Sequence, residues 1–235
     1  MRSVCFWLAC LVLLGVLFGC GSGRGRVREA AMLQSPSAET EAVRFGSAEQ
    51  LSGDLEILGI LVEDAAHDWP AEEAARAAAL LLEAADYLAA QAREGGGALA
   101  CRVQGVAGRL CYAGDLCPTG EDGMLLNAAA EACLDEIGAG DMRKTASAPA
   151  QAAYLLLVNA PGEGYALPQL CAGETELFRE KAVVFCRDAT PPQVAALLAR
   201  LSAPGGKVFS GAALSPEGGF TPEFRAYLAG GEEMV

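Results

Sequence analysis

Leu51-Ser-Gly-Asp-Leu-Glu-Ile-Leu-Gly-Ile-Leu-Val62 is the stretch on which the architecture turns. Leu51, Leu55, Leu58 and Val62 recur at the spacing of one helix face, and Ser47 stands where a helix cap would stand. Gly53 and Gly59 weaken that reading, each by about 1 kcal/mol relative to Ala in a helix interior. Residues 55–62 could also form a strand. The helical reading is taken here because a clear helix follows.

That next helix opens at Pro70, after Asp68 or Trp69. Glu72 and Glu73 put negative charge in its first turn, and Leu80, Leu81, Leu82, Tyr87 and Leu88 give it an apolar face. Gly95-Gly96-Gly97 stops it. The two helices make an expected hairpin over residues 48–97, with Trp69 as a packing residue at the joint.

Beyond the triple glycine the pattern changes. Residues 98–106 and 110–112 look extended, Asp115 to Gly123 is a loop carrying Cys117-Pro118, and residues 124–137 read as a helix stopped by Gly138. Residues 154–158 and 182–186 are β-rich runs, separated by a loop holding Pro161, Gly162, Gly164 and Pro168. Thr190 caps a helix that opens with Pro191 and Pro192 and buries Val194, Leu197, Leu198 and Leu201; residues 207–210 supply a last strand candidate. The order strand, helix, strand, strand, helix, strand predicts an α+β fold, a split βαβ sandwich of ferredoxin-like topology over residues 98–235.

The chain begins with Arg2 and an uncharged run of fifteen residues, Val4 to Phe18, ending in Leu17-Phe18-Gly19-Cys20. As a helix at about 1.5 Å per residue the run spans roughly 22 Å, short of a hydrocarbon core of about 30 Å. It reads as a signal h-region. The four residues at its end resemble the lipobox of bacterial lipoproteins. The resemblance implies cleavage between Gly19 and Cys20, with a diacylglycerol on the Cys20 thiol and an acyl chain on its new amino group. Phe18 is bulkier than the residue usual at its position. Gly21, in place of the Asp that favours retention at the inner membrane, implies the outer membrane, facing the periplasm. More than one acyl chain is what stable anchoring takes.

Residues 20–47 then read as the lipidated Cys and a flexible tether, rich in Gly, Ser, Ala, Arg and Glu. Arg24, Arg26 and Arg28 lie next to the anchor, where each could gain up to about 1 kcal/mol from an anionic surface or simply be solvated. From Ala48 onward there are 12 Lys and Arg against 27 Asp and Glu, a balance of −15. That sign excludes a cationic footprint for nucleic acid and holds the domain off an anionic lipid face.

Nine cysteines are present. Cys5 and Cys10 leave with residues 1–19 and Cys20 takes the lipid, so six remain for the domain, an even set in an oxidising compartment. Three disulfides are expected, each contributing about 2–4 kcal/mol; six cysteines allow about fifteen connectivities, of which the set Cys101 with Cys133, Cys111 with Cys117 and Cys171 with Cys186 is favoured. No Cys-x-x-Cys pair, haem-attachment motif or zinc spacing is present.

The single histidine, His67, follows Asp64 by three residues, which could make a carboxylate-held base or a surface histidine at a helix end. No Gly-x-Ser-x-Gly elbow, Ser-x-x-Lys or phosphate-cradling glycine loop accompanies it. Asp115, Glu121 and Asp122 lack the alternating spacing of a calcium loop, and Asp135, Glu136 and Asp141 read as surface. No catalytic residue, metal ligand or cofactor is therefore assigned. The sequence predicts a lipid-anchored envelope protein, held to its membrane through Cys20, that binds or assembles with an envelope protein. An envelope enzyme, a carboxylate-dependent hydrolase or a thiol-disulfide exchange protein, is the alternative.

Overall fold

A computed structural model describes residues 41–44, 53–64, 66–116, 121–139, 151–167, 169–172, 175–201, 213–216 and 218–228. The chain runs β1 (Glu41–Arg44), β2 (Gly53–Glu63), α1 (Ala71–Glu94), β3 (Leu99–Cys111), α2 (Glu121–Glu136), β4 (Gln151–Val158), β5 (Tyr165–Leu167), β6 (Gln169–Ala172), β7 (Thr175–Phe178), β8 (Lys181–Phe185), α3 (Pro191–Leu201) and α4 (Pro222–Leu228). The mixture of helix and strand is as the sequence predicts; its organisation is not.

Residues 53–63 are a strand, so the expected helical hairpin is corrected. Leu55 to Val62 are all buried. In a strand covered on both faces nearly every residue is apolar, and an unbroken apolar run satisfies a helical period and a strand period alike. Gly59 fits the strand and its close neighbours. A Cβ on Gly59 would lie 2.9 Å from the Cδ1 atoms of both Leu157 and Leu81, so β2, β4 and α1 close on one another where that side chain is missing.

The main sheet has five strands in the order β3-β2-β4-β8-β5. The pairs β3 with β2, β2 with β4 and β4 with β8 are parallel; only β5, at the edge, is antiparallel. This replaces the expected ferredoxin-like sandwich, whose strand order the sequence reading reached without β2. Parallel neighbours need a crossover, and α1 and α2 supply the first two. Because the chain steps one way from β2 to β3 and the other way from β3 to β4, crossovers of one hand put the two helices on opposite faces. Gly59 faces Leu81 of α1, while Gly108, on the other face, lies under Ile137 and Cys133 at the end of α2. The α1 face also carries α3, whose Val194, Leu198 and Leu201 join Leu81, Leu88, Leu155 and Leu157 in one core. Phe220, just before α4, and Phe224, within it, complete the core and stack edge to face at 5.0 Å.

Several local signals hold. α1 begins after Pro70 and ends at Gly95, with Gly96 at φ 80°. Gly138 stops the chain after α2 at φ 70°. Gln193 accepts hydrogen bonds from the Thr190 amide (2.9 Å) and hydroxyl (3.0 Å), closing the start of α3. Leu82, expected on the apolar face of α1, is 55% exposed. The segment between β4 and β8, expected as a loop, contains β5 and a hairpin, β6–β7, to which β1 adds a third antiparallel strand. The strand expected at 207–210 lies outside the described residues.

Cys101, Cys111, Cys133 and Cys186 are free thiols. The Cys101–Cys133 disulfide is corrected: Cys101 packs on the core beneath α1, whereas the Cys133 sulfur sits by Gly108 on the α2 face. The sheet itself separates them. For the other two expected pairs, Cys117 and the Cys171 side chain lie outside the described residues.

On the α2 face a charged group is fully enclosed. Lys181 Nζ, 0% exposed, donates to Asn127 Oδ1 (2.6 Å), Glu131 Oε2 (2.6 Å) and the Arg179 carbonyl (2.8 Å). Arg179 Nη1 is 2.7 Å from Glu131 Oε1, and its guanidinium lies 5.8 Å above the Tyr154 ring centre. Glu131 therefore holds α2 to the start of β8. Among the described residues no helix is long and apolar enough to cross a membrane.

Two outcomes follow from this packing. Gly59→Val is expected to destabilise by about 1–3 kcal/mol in urea unfolding, because the new methyls meet Leu81 and Leu157; an unchanged midpoint would contradict the close approach. Glu131→Leu strands the Lys181 charge and is expected to cost roughly 3–5 kcal/mol, most of it recovered when Lys181→Met is added. Failure of the second change to restore stability would show that the pair is not the clamp.

Candidate functional site

In an open parallel sheet, ligands meet the carboxyl ends of the strands, above all where neighbouring strands send their connections to opposite faces. Here that point lies between β2 and β4. The loops that follow β2, β4 and β8 bring together Asp64, His67 and Asp68, then Asn159 and Pro161, then Cys186, Arg187 and Asp188.

Asn159, 2% exposed, ties the three loops together. Its Nδ2 donates to the Asp68 carbonyl at 2.8 Å, and its Oδ1 accepts from Arg187 Nε at 3.3 Å. The Arg187 amide also reaches the Ala160 carbonyl (3.3 Å), and the Cys186 amide the Val158 carbonyl (2.9 Å). Trp69 turns back over the same edge, donating Nε1–H to the Val62 carbonyl at 3.0 Å. Its burial agrees with the packing role read from the sequence. The switch point is thus spanned by Asn159, and the loops above it are fixed relative to one another.

Asp64 and His67 form a histidine–carboxylate pair, the only one among the described residues. His67 Nδ1 is 2.9 Å and 3.0 Å from the two Asp64 oxygens. Asp64 Oδ1 also accepts from the amides of Ala66 (2.6 Å) and His67 (2.7 Å). Burial pushes the Asp64 carboxyl up, but the His67 ring and the two amides outweigh it and hold the group below its ordinary value. The pair is not at a helix end, as the sequence reading had it, but in the turn after a strand. With Nδ1 facing the carboxylate, the arrangement orients the ring and leaves Nε2 outside the pair.

Two of the thiols, Cys186 and Cys101, are held protonated by burial. Burial pushes Cys186, at the end of β8, up to about 12, against a smaller opposing effect of the Val158 hydrogen bond. Cys101 is likewise raised to about 12, by burial and then by Asp86. A thiol-exchange site needs the opposite environment.

Beside β8 the same edge opens into a cleft of about 230 Å³. Phe185, Leu197 and Leu214 give it an apolar floor; Glu163, Gln193 and Arg200 give it polar groups of both signs. Its wall is the loop that precedes β5. A Cβ on Gly162 would come within 2.8 Å of the Phe185 ring, and one on Gly164 within 2.7 Å of Leu197 Cδ1, so both glycines permit the loop to lie flat on the floor. In the sequence these glycines read only as loop residues, since a close approach between distant segments leaves no local mark.

Among the remaining acidic residues, Asp115 is exposed, the Glu121 and Asp122 side chains and Asp141 lie outside the described residues, and Asp135 Oδ1 pairs with Arg179 Nη2 at 3.3 Å. Among the described residues no group of three His, Cys, Asp or Glu side chains could hold a metal ion.

Because the folded Asp64 pKa is depressed, its stabilising effect is present above the unfolded value, near 3.9, and is lost as pH falls through the lower folded value. Asp64→Asn is expected to flatten the fall of stability with acid below about pH 4, measured by urea unfolding across pH; an unchanged slope would contradict it. Comparison with known proteins found no matching family model, no matching curated protein and no matching solved structure.

Proposed function

We propose that this chain is a lipid-anchored envelope protein whose α/β domain binds a protein partner at the carboxyl edge of its main sheet. The observation that carries the binding half is the cleft beside β8, with an apolar floor and the Glu163, Gln193 and Arg200 side chains around it. An apolar recess with a few convergent polar groups suits an inserted side chain that also presents a charge or amide at its base. Its volume, about 230 Å³, is on the scale of one large side chain.

The anchoring half rests on Leu17-Phe18-Gly19-Cys20 at the end of the h-region. Lipid at Cys20, with the stretch that leads from it towards the domain, restricts the domain to one membrane face, with Gly21 favouring the outer membrane. Confinement of both binding partners raises their effective concentration, so a modest affinity suffices. The acidic balance of the domain keeps the carboxyl edge free of the lipid surface.

An enzymatic reading draws on one observation, the ring of His67 oriented by Asp64 at the switch point. It is the weaker reading because Cys186, at the same edge, is held protonated by burial.

The test places a photo-crosslinking residue at Gln193 in the full-length protein in intact cells, with and without Cys20→Ser. One discrete protein adduct is expected, strongly reduced when Arg200→Glu reverses the charge beside the cleft. Cys20→Ser is expected to release the protein from the detergent-soluble membrane fraction and to weaken the adduct. Detergent-dependent membrane association that persists in Cys20→Ser would overturn the anchor; lipid-only adducts would overturn the binding site.

A further inference from the structure

The recess beside β8 is lined by charges of both signs. Gln193, Leu197 and Arg200 recur at the spacing of one face of α3, which sets an amide, part of the apolar floor and a cation in a row along that wall. Glu163 comes from a different element, the loop before β5. Among the described residues neither the Glu163 nor the Arg200 side chain has a hydrogen-bond or ion-pair partner, although both line the same cleft. The Gln193 amide is already turned. Its Oε1 accepts from the Thr190 amide and hydroxyl, so the group it has left to offer is Nε2, which can only donate.

We infer that the protein partner enters this cleft by its C-terminal residue, with an apolar side chain on Phe185, Leu197 and Leu214, the α-carboxylate on Arg200 and Gln193 Nε2, and the main-chain N–H donated to Glu163. The inference rests on the cleft being the partner's binding site and names what the partner presents there. Charge complementarity carries it. An internal residue would bring only a neutral carbonyl to Arg200. A chain end places a carboxylate on the carbon that bears the inserted side chain, and a guanidinium grips a carboxylate with two parallel N–H groups. An N-terminal residue would satisfy Glu163 alone and leave both donors of α3 on a neutral oxygen. Size agrees, since about 230 Å³ is below the usual range of a pocket for a drug-sized ligand and admits one residue with a side chain such as Leu.

The probe is the synthetic peptide Gly-Ser-Gly-Ser-Ala-Leu with fluorescein at its amino end, titrated against the full-length protein in detergent. The free acid is expected to bind at least about tenfold more tightly than the same peptide ending in a carboxamide, and at least about tenfold more tightly than a free acid ending in Asp. Arg200→Gln is expected to erase the preference for the free acid while changing the affinity of the carboxamide less than about twofold; a merely structural Arg200 would weaken both alike. Unlabelled peptide is expected to displace the probe at least about tenfold better than free leucine, which lacks the rest of the chain. No binding of the free acid, equal binding of acid and carboxamide, or an equal loss of both in Arg200→Gln would overturn the inference. Displacement by leucine as good as by the peptide would also overturn it and assign the cleft to a free amino acid. Failure here is distinct from failure of the binding site. Protein adducts at the cleft in intact cells, together with equal binding of acid and carboxamide, would overturn the C-terminal residue alone, whereas lipid-only adducts would overturn both.

Discussion

Everything in the main sheet depends on β2 being covered on both faces. Eight consecutive residues, Leu55 to Val62, are buried, and burying each large aliphatic among them stabilises by about 1.5–3 kcal/mol. A strand in that position cannot be an edge, since its backbone groups on both sides have to find partners out of water. β3 takes one side and β4 the other, both parallel. Parallel pairing then demands crossovers, and these deliver α1 to one face and α2 to the other. The carboxyl-edge geometry is a consequence of the same arrangement. Two neighbouring strands whose connections diverge leave a gap above their ends, and the loops bearing His67 and Asn159 fall there.

Two polar groups within this frame, the buried Asn159 and the partly buried Glu131, serve position more than chemistry. Asn159 uses both ends of its amide to hold the β2 and β8 loops to the end of β4. Glu131 does comparable work on the α2 face by neutralising Lys181 and pairing with Arg179. Each is costly to bury and each is satisfied, so each specifies one arrangement of its neighbours. The result is a carboxyl edge whose loops are fixed, with a recess beside β8 as the place where another molecule fits.

The sequence made some of this legible. Pro70, Thr190 and the glycines at 95–97 and 138 act through local backbone chemistry, and the helices begin and end beside them as expected. The strands β4 and β8 were legible from their β-rich runs. What could not be read was anything that depends on distant residues. Apart from Glu56 the run at 55–62 is apolar, so its period carries little information; the closeness of Leu81 and Leu157 to Gly59 fits the strand. Cys101 and Cys133 look equally available in sequence, yet the sheet lies between them. Gly162, Gly164, Gln193 and Arg200 are unremarkable along the chain and meet only in the fold. The short strands β1, β5, β6 and β7 have three or four residues each, too few for a period to register.

The central claim is that residues 53–63 form a strand flanked in parallel by β3 and β4. Nuclear Overhauser contacts between backbone protons test it most directly in isotope-labelled protein. The account predicts long-range contacts in parallel register, with Leu58 beside Tyr154 and Val62 beside Val158, and none of the medium-range contacts of a helix between residues 55 and 62. Medium-range helical contacts along that segment, with no contacts to residues 151–158, would contradict it.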